Sequence, residues 1–191
     1  MKHTTRLLAL TLLLASGAAG AHTGHGSSGF LTGLMHPFSG MDHQLAMLAV
    51  GLWAGQRGGR AIWLLPALFM SMLAAGAAAG MLTPALPLME PGIAASVLVL
   101  GLLVASPAKL ALPLSLVLTA AFGLFHGYAH GAEMPGATAP AAYALGFLAS
   151  SAALHLAGIM LGAASRGHFA RLAQSLGIAI ATCGMWMLST V

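Results

Sequence analysis

Residues 33–43 read GLMHPFSGMDH, and they open an apolar stretch that continues to Gly55. Asp42 is one of only three acidic residues among 191. An ionised carboxylate at the centre of a bilayer helix costs roughly 2.5–3.5 kcal/mol on insertion scales. A group that costly, flanked by the imidazoles of His36 and His43, marks a functional site. Its plainest chemistry is a divalent metal ion held by nitrogen and oxygen ligands.

The rest of the composition agrees with a membrane setting. Hydrophobic residues make up 59% of the chain and charged residues 5%, against about 25% charged in soluble domains. The expected fold is an all-α integral membrane protein. Cys183 is the only cysteine, which excludes a disulfide or a thiolate metal cluster within one chain. No Walker-type sequence is present, so nucleotide hydrolysis by that route is excluded. Nine histidines outnumber the three acidic residues, and they direct attention to metal chemistry. The basic residues serve topology, so no nucleic-acid partner is expected.

Residues 1–21 read as a cleaved secretory signal peptide: Lys2 and Arg6, then Leu7 to Leu14, then Ala19-Gly20-Ala21. Cleavage frees His22, and residues 22–32 form an external segment in which His22, His25 and the new α-amino group can capture a metal. Residues 33–191 then form a six-helix transmembrane domain, with spans near 33–55, 61–83, 91–106, 109–131, 140–164 and 169–190. Each approaches the roughly 20 residues that cross a core about 30 Å thick. Arg57, Arg60, Lys109, Arg166 and Arg171 fall on alternate loops, while Glu90 and Glu133 fall on the others. The positive-inside rule makes the basic side cytoplasmic. Both mature termini are then periplasmic, and the expected location is the bacterial inner membrane. Gly76 with Gly80, and Gly158 with Gly162, have the spacing that lets helices approach closely.

On an unbroken helix, His36 and His43 share a face with Gly40 between them, leaving room for a ligand or another helix. They lie about 10 Å apart along its axis. Bonds from imidazole to metal are only about 2 Å. One ion therefore reaches both only if Pro37 distorts the helix; otherwise there are two stacked positions. The fourth span ends FHGYAHGAE, with His126, His130 and Glu133. A separation of four places the two imidazoles to share one metal. His155 sits alone in the apolar fifth span, and His168 in a cytoplasmic loop. The candidate ligands form a ladder from outside inward: His22 and His25; His36, His130 and Glu133; Asp42, His43 and His126; then His155. A file of moderate sites suits transport, because an ion must leave each position as well as reach it.

These motifs carry a family resemblance. HTGHG after the signal peptide, HPFSGMDH, LAMLAVGLWAG and FHGYAHGAE resemble the HupE/UreJ family of bacterial membrane metal permeases, over essentially the whole chain. The resemblance implies that His36, Asp42 and His43 form the signature motif, and that the cargo is nickel, with cobalt as an alternative. The pattern is also similar to that of the larger nickel/cobalt transporter family, a His followed by an Asp-His pair. That family has a gap of four residues where five separate His36 from Asp42 here, which argues against membership in it. The ligand types alone suit nickel, cobalt and zinc alike.

The function expected is import of a hydrated divalent cation from periplasm to cytoplasm, with no resident cofactor and no enzymatic activity. The partners are the metal and the lipid bilayer, with a homo-oligomer and hand-off to metallochaperones as further expectations. Two other readings stand beside it: an intramembrane haem or metal-dependent enzyme, and a metal-binding accessory subunit. GLMHPF at 33–38 also echoes GLFHGY at 123–128, a hint of an inverted repeat.

Overall fold

The computed structural model describes residues 29–83, 87–106, 110–133, 139–166 and 170–191. The signal-peptide segment, His22, His25, Lys109 and His168 lie outside them. Seven α-helices make up the described chain: α1 (Gly29–Met35), α2 (Met41–Arg57), α3 (Ala61–Leu82), α4 (Met89–Ala105), α5 (Leu112–Ala132), α6 (Pro140–Ala164) and α7 (Ala170–Leu188), with one 3-10 turn at His36–Phe38.

Helices α3, α5 and α6 are long and apolar enough to cross a membrane, and α4 is a shorter apolar helix. Large apolar side chains such as Trp63, Val117, Leu145, Met160 and Trp186 face outward. That surface is suited to lipid, where helices satisfy their own backbone groups. This is a membrane protein.

The expected continuous span at 33–55 is not one helix. Pro37 removes a backbone donor and favours a break, and the chain turns through His36–Phe38. Ser39 closes the turn by donating from both its amide and its hydroxyl to the His36 carbonyl, at 2.9 and 2.6 Å. Gly40 is extended (φ −112°, ψ 121°) and precedes α2 as its N-cap. His36 and His43 therefore do not share a face of one helix. A methyl group at Gly40 would lie 2.6 Å from Asp42 Oδ1 and 3.1 Å from His43 Nδ1, so the glycine lets the carboxylate and the ring close against the backbone.

Close backbone contacts join the helices in three pairs. Helix α2 runs parallel to α6, where a side chain at Gly51 or Gly55 would strike the carbonyls of His155 or Ile159. The same α6 continues past the break, with Gly33 of α1 against Tyr143, so one 25-residue helix splints both halves of the broken span. Helix α3 runs parallel to α5, with Gly127 against Leu73 and Gly131 against Ala77. Helices α4 and α7 are antiparallel, with Gly101 against Ala181 and Gly184 against Leu98. Small residues let backbones meet in lipid, where apolar side chains gain nothing from leaving their solvent.

Helix α2 is the most buried element: Ala46, Met47, Ala49, Val50 and Ala54 are fully covered. Its last turn is tied to neighbouring chain ends. Gln56 Nε2 donates to the Val104 carbonyl at 3.1 Å, and Arg57 Nη1 donates to that of Leu110 at 2.7 Å. Gly58 packs against Arg166. The opposite end gathers Met41, Asp42, Glu90, Thr190 and Val191 around one cavity. The described basic loops thus collect at one end of the bundle, and carboxylates at the other.

Candidate metal pathway

The break before α2 and the last two turns of α5 meet at one place. His36 lies at the break, Asp42 and His43 in the first turn of α2, and His126, His130 and Glu133 along α5. The rings form a file. His36 Nε2 lies 3.7 Å from Glu133 Oε2. Ring centroids then step 4.7 Å from His36 to His130, 3.9 Å from His130 to His43, and 4.7 Å from His43 to His126. Phe147 of α6 packs 4.1 Å from His130, and Tyr143 packs 5.6 Å from His36, forming an aromatic wall.

Hydrogen bonds leave ring nitrogens open along this file. Asp42 Oδ1 accepts from the His43 amide at 2.8 Å and from His43 Nδ1 at 2.7 Å. A carboxylate partner fixes the Nδ1–H tautomer, so the lone pair sits on Nε2. The Ser96 hydroxyl donates to the Ile93 carbonyl at 2.7 Å. Its one proton is then used, so it accepts from His126 Nε2 at 2.7 Å, and the lone pair of His126 is on Nδ1. His155 Nδ1 donates to the Ser151 carbonyl at 2.7 Å, leaving its lone pair on Nε2. Among the described residues, His43 Nε2, His126 Nδ1, His155 Nε2 and both nitrogens of His130 are buried without a hydrogen-bond partner. Buried polar atoms without partners are costly, and a cation is one group whose chemistry would supply the missing interaction.

His36, His130 and Glu133 each offer one ligand atom, all within 4.8 Å of one another. Two ligands on one ion with bonds near 2.1 Å lie at most about 4.2 Å apart, so these three atoms stand wider than the ligands of a single ion and would have to close in to share one. A cavity of about 230 Å³ leads to it, lined by His36, Ser39, Gly40, Asp42, His43, His130 and Glu133. The residues fit a hydrated divalent cation as cargo: oxygen and imidazole donors at the mouth, imidazole beyond.

The file follows the order of the expected ladder, with His36 beside His130 and Glu133 and with His43 beside His126. The two motifs interleave, with His43 packed against both His126 and His130, and His36 pairs with His130 and Glu133 across helices. His155 stands apart from the file. The Phe69 ring lies between, 5.8 Å from His126 and 5.2 Å from His155. Sequence reasoning missed Ser96 and Phe69. Ser96 had a signal, being the one polar side chain after Glu90 in α4; Phe69 had none among apolar neighbours.

Comparison with known proteins adds the family. A family model described as HupE / UreJ protein matches residues 10–187. The chain is also 42% identical over 188 residues to Protein HupE of Rhizobium leguminosarum bv. viciae, covering 98% of this chain and 97% of that protein. This chain belongs to the HupE/UreJ family. No solved structure matches it. HupE/UreJ proteins are metal permeases, so this member is a transporter of metal and not an enzyme. The haem and metalloenzyme readings fall on that ground.

Proposed function

We propose that this HupE/UreJ protein imports a divalent transition-metal cation, nickel first and cobalt or zinc as alternatives, from the periplasm to the cytoplasm of a bacterium. The observation that carries the reading is the file of unpartnered imidazole nitrogens running inward from a carboxylate-lined cavity. Asp42 and Glu133 draw the cation in and replace part of its water shell. His36, His130, His43 and His126 then pass it along, each close enough to the next for ligands to exchange one at a time. His22 and His25 raise the local concentration outside, and His155 receives the ion beyond Phe69.

The topology proposed is six crossings of the inner membrane with both mature termini periplasmic. The gathering of Arg57, Arg60 and Arg166 at one end supports it under the positive-inside rule. The parallel and antiparallel senses of the three helix pairs are those of six alternating crossings. Moving one charge is worth about 2.3 kcal/mol per 100 mV. A dication gains about 4.6 kcal/mol per 100 mV, on the order of a 2,000-fold accumulation, so the membrane potential suffices as a driving force.

The test is uptake of radioactive nickel, with cobalt and zinc as competitors, into cells expressing the chain or its Asp42→Ala variant. Saturable uptake that the variant abolishes, while remaining in the membrane, is the expected result. No uptake of any of the three metals above empty cells would overturn nickel import.

A further inference from the structure

Two helix pairs share one packing pattern, residue for residue. Gly51 abuts the carbonyl of His155, and Gly127 abuts that of Leu73. Gly55 meets the Ile159 carbonyl, and Gly131 that of Ala77. In return, Gly158 meets Leu48 O, Leu52 N and Gly51 C, while Gly76 meets Leu124 O, Tyr128 N and Gly127 C. Gly162 meets Leu52 O and Gln56 N, and Gly80 meets Tyr128 O and Ala132 N. Adding 76 to each position of α2 gives its counterpart in α5, and adding 82 to each position of α3 gives its counterpart in α6.

The third pair obeys the first offset. Gly101 meets Ala181 N and Gly177 O; Gly177 meets Ala105 N and Gly101 O. Adding 76 converts Gly101 to Gly177 and Ala105 to Ala181, so α4 and α7 exchange with each other. They are antiparallel, so the exchange reverses direction, as for a two-fold axis lying in the membrane plane. The same offset aligns HPFSG at 36–40 with LPLSL at 112–116, matching Pro37 to Pro113 and Ser39 to Ser115. The likeness of 33–38 to 123–128 is thus not the register of the repeat: it would pair His36, at a helix break before α2, with His126, inside α5 about two turns from its end.

We propose that α2–α4 and α5–α7 form an inverted repeat, and that Thr119 and Ser151 are weak oxygen ligands for the cation on a cytoplasm-facing leg that opens when the two halves exchange conformations. The repeat stands on packing alone; the direction of flow rests on the import reading. Under the two-fold, His43 maps to Thr119 and Phe69 to Ser151, while His126 maps to Val50 and His130 to Ala54. The imidazole file therefore has no imidazole counterpart. At the image of the file stands one hydroxyl, that of Thr119; the second, that of Ser151, stands at the image of Phe69, which borders the file at His126. Both residues are fully buried, and neither hydroxyl has a hydrogen-bond partner among the described residues. Ser71, Thr83, Ser115, Ser150 and Thr182 instead donate to a carbonyl of the preceding turn, the usual resolution for a helical hydroxyl. Strong ligands on the side of capture and weak ones on the side of release give a cation a way out, which conduction requires.

The test places a cysteine at the image of His43. Thr119→Cys, in a Cys183→Ala background, is exposed to a charged, membrane-impermeant methanethiosulfonate in right-side-out and inside-out vesicles. Ser39→Cys, at the periplasmic cavity, is the reference for outward access. Thr119→Cys is expected to react at least tenfold faster from the cytoplasmic face, and Ser39→Cys from the other. Equal reaction from both faces, faster reaction from outside, or none in a variant that retains uptake would each overturn the proposal. If the cysteine variant does not accumulate, Thr119→Val and Thr119→Ser decide. Valine should cut nickel uptake tenfold or more with nickel affinity unchanged, and serine should restore it; wild-type uptake by Thr119→Val overturns the proposal. Labelling needs no metal flux, so a wild type that moves no metal would end the import reading while the labelling still decides this one.

Discussion

Asp42 Oδ1 lies 2.7 Å from His43 Nδ1 and also accepts the His43 backbone amide at 2.8 Å, so one carboxylate oxygen holds both the ring and the backbone of the next residue. This bond orients the His43 ring between His126 and His130 and leaves Nε2 as its donor atom. Asp42→Asn keeps the shape but removes the charge that stabilises the Nδ1–H tautomer. Metal affinity of the purified protein, by isothermal titration calorimetry with nickel, should fall about 10–100-fold. An unchanged affinity would remove Asp42 from the site.

His36, His130 and Glu133 come from two separated segments, and their ligand atoms cluster within 4.8 Å. If they share an ion, the losses from His36→Ala and Glu133→Gln are not additive. The double variant should differ from the sum of the singles by about 0.5–3 kcal/mol in nickel binding. Additive losses would show that the two residues act on different ions.

Gly40→Ala tests how closely the break is built. The added methyl falls 2.6 Å from Asp42 Oδ1, too close to tolerate without moving the carboxylate. The protein should still fold, because the crowded atoms are the end of a side chain. Nickel affinity should drop in the manner of Asp42→Asn. Thermal unfolding of the metal-free variant at the wild-type midpoint, together with weakened binding, is the expected pair of results.

Ser96→Ala leaves His126 buried with no partner on Nε2. The loss of one neutral hydrogen bond is worth about 1 kcal/mol, so nickel binding should weaken roughly fivefold, much less than for Asp42→Asn. An effect as large as that of Asp42→Asn would mean that Ser96 contacts the metal itself.

Gly51→Val and Gly127→Val crowd equivalent backbone contacts in the two parallel pairs. Overpacking of this kind costs typically 1–3 kcal/mol, and more where backbone blocks backbone. Both variants should lower the thermal midpoint of the detergent-purified protein by similar amounts. Ala149→Val, on an exposed face of α6, should leave it unchanged.

Helices α3 to α7 were legible from length and hydropathy, because a membrane helix must hide its backbone polar groups along a run of apolar residues. The expected limits 61–83 and 140–164 meet Ala61–Leu82 and Pro140–Ala164. The break at His36–Gly40 was half legible. Pro37 announced a distortion, but nothing local showed that the chain would leave the helix for several residues, since Ser39 and Gly40 are compatible with either course.

The sequence by itself determined that this is a helical membrane protein of a metal-permease family, and which side chains carry its polar chemistry. Those follow from composition, hydropathy and short motifs, all properties of neighbours along the chain. Depth along the spans already placed His36 level with His130 and Glu133, and His43 level with His126; only the tertiary structure brought them into contact, set His43 against His130 as well, and put Ser96 behind His126 and Phe69 before His155. It alone revealed the offset that relates the two halves. The reason is physical. The register of one helix on another is set by where backbones can touch, through glycines such as Gly51 and Gly127, and a glycine on its own does not say which carbonyl it will meet.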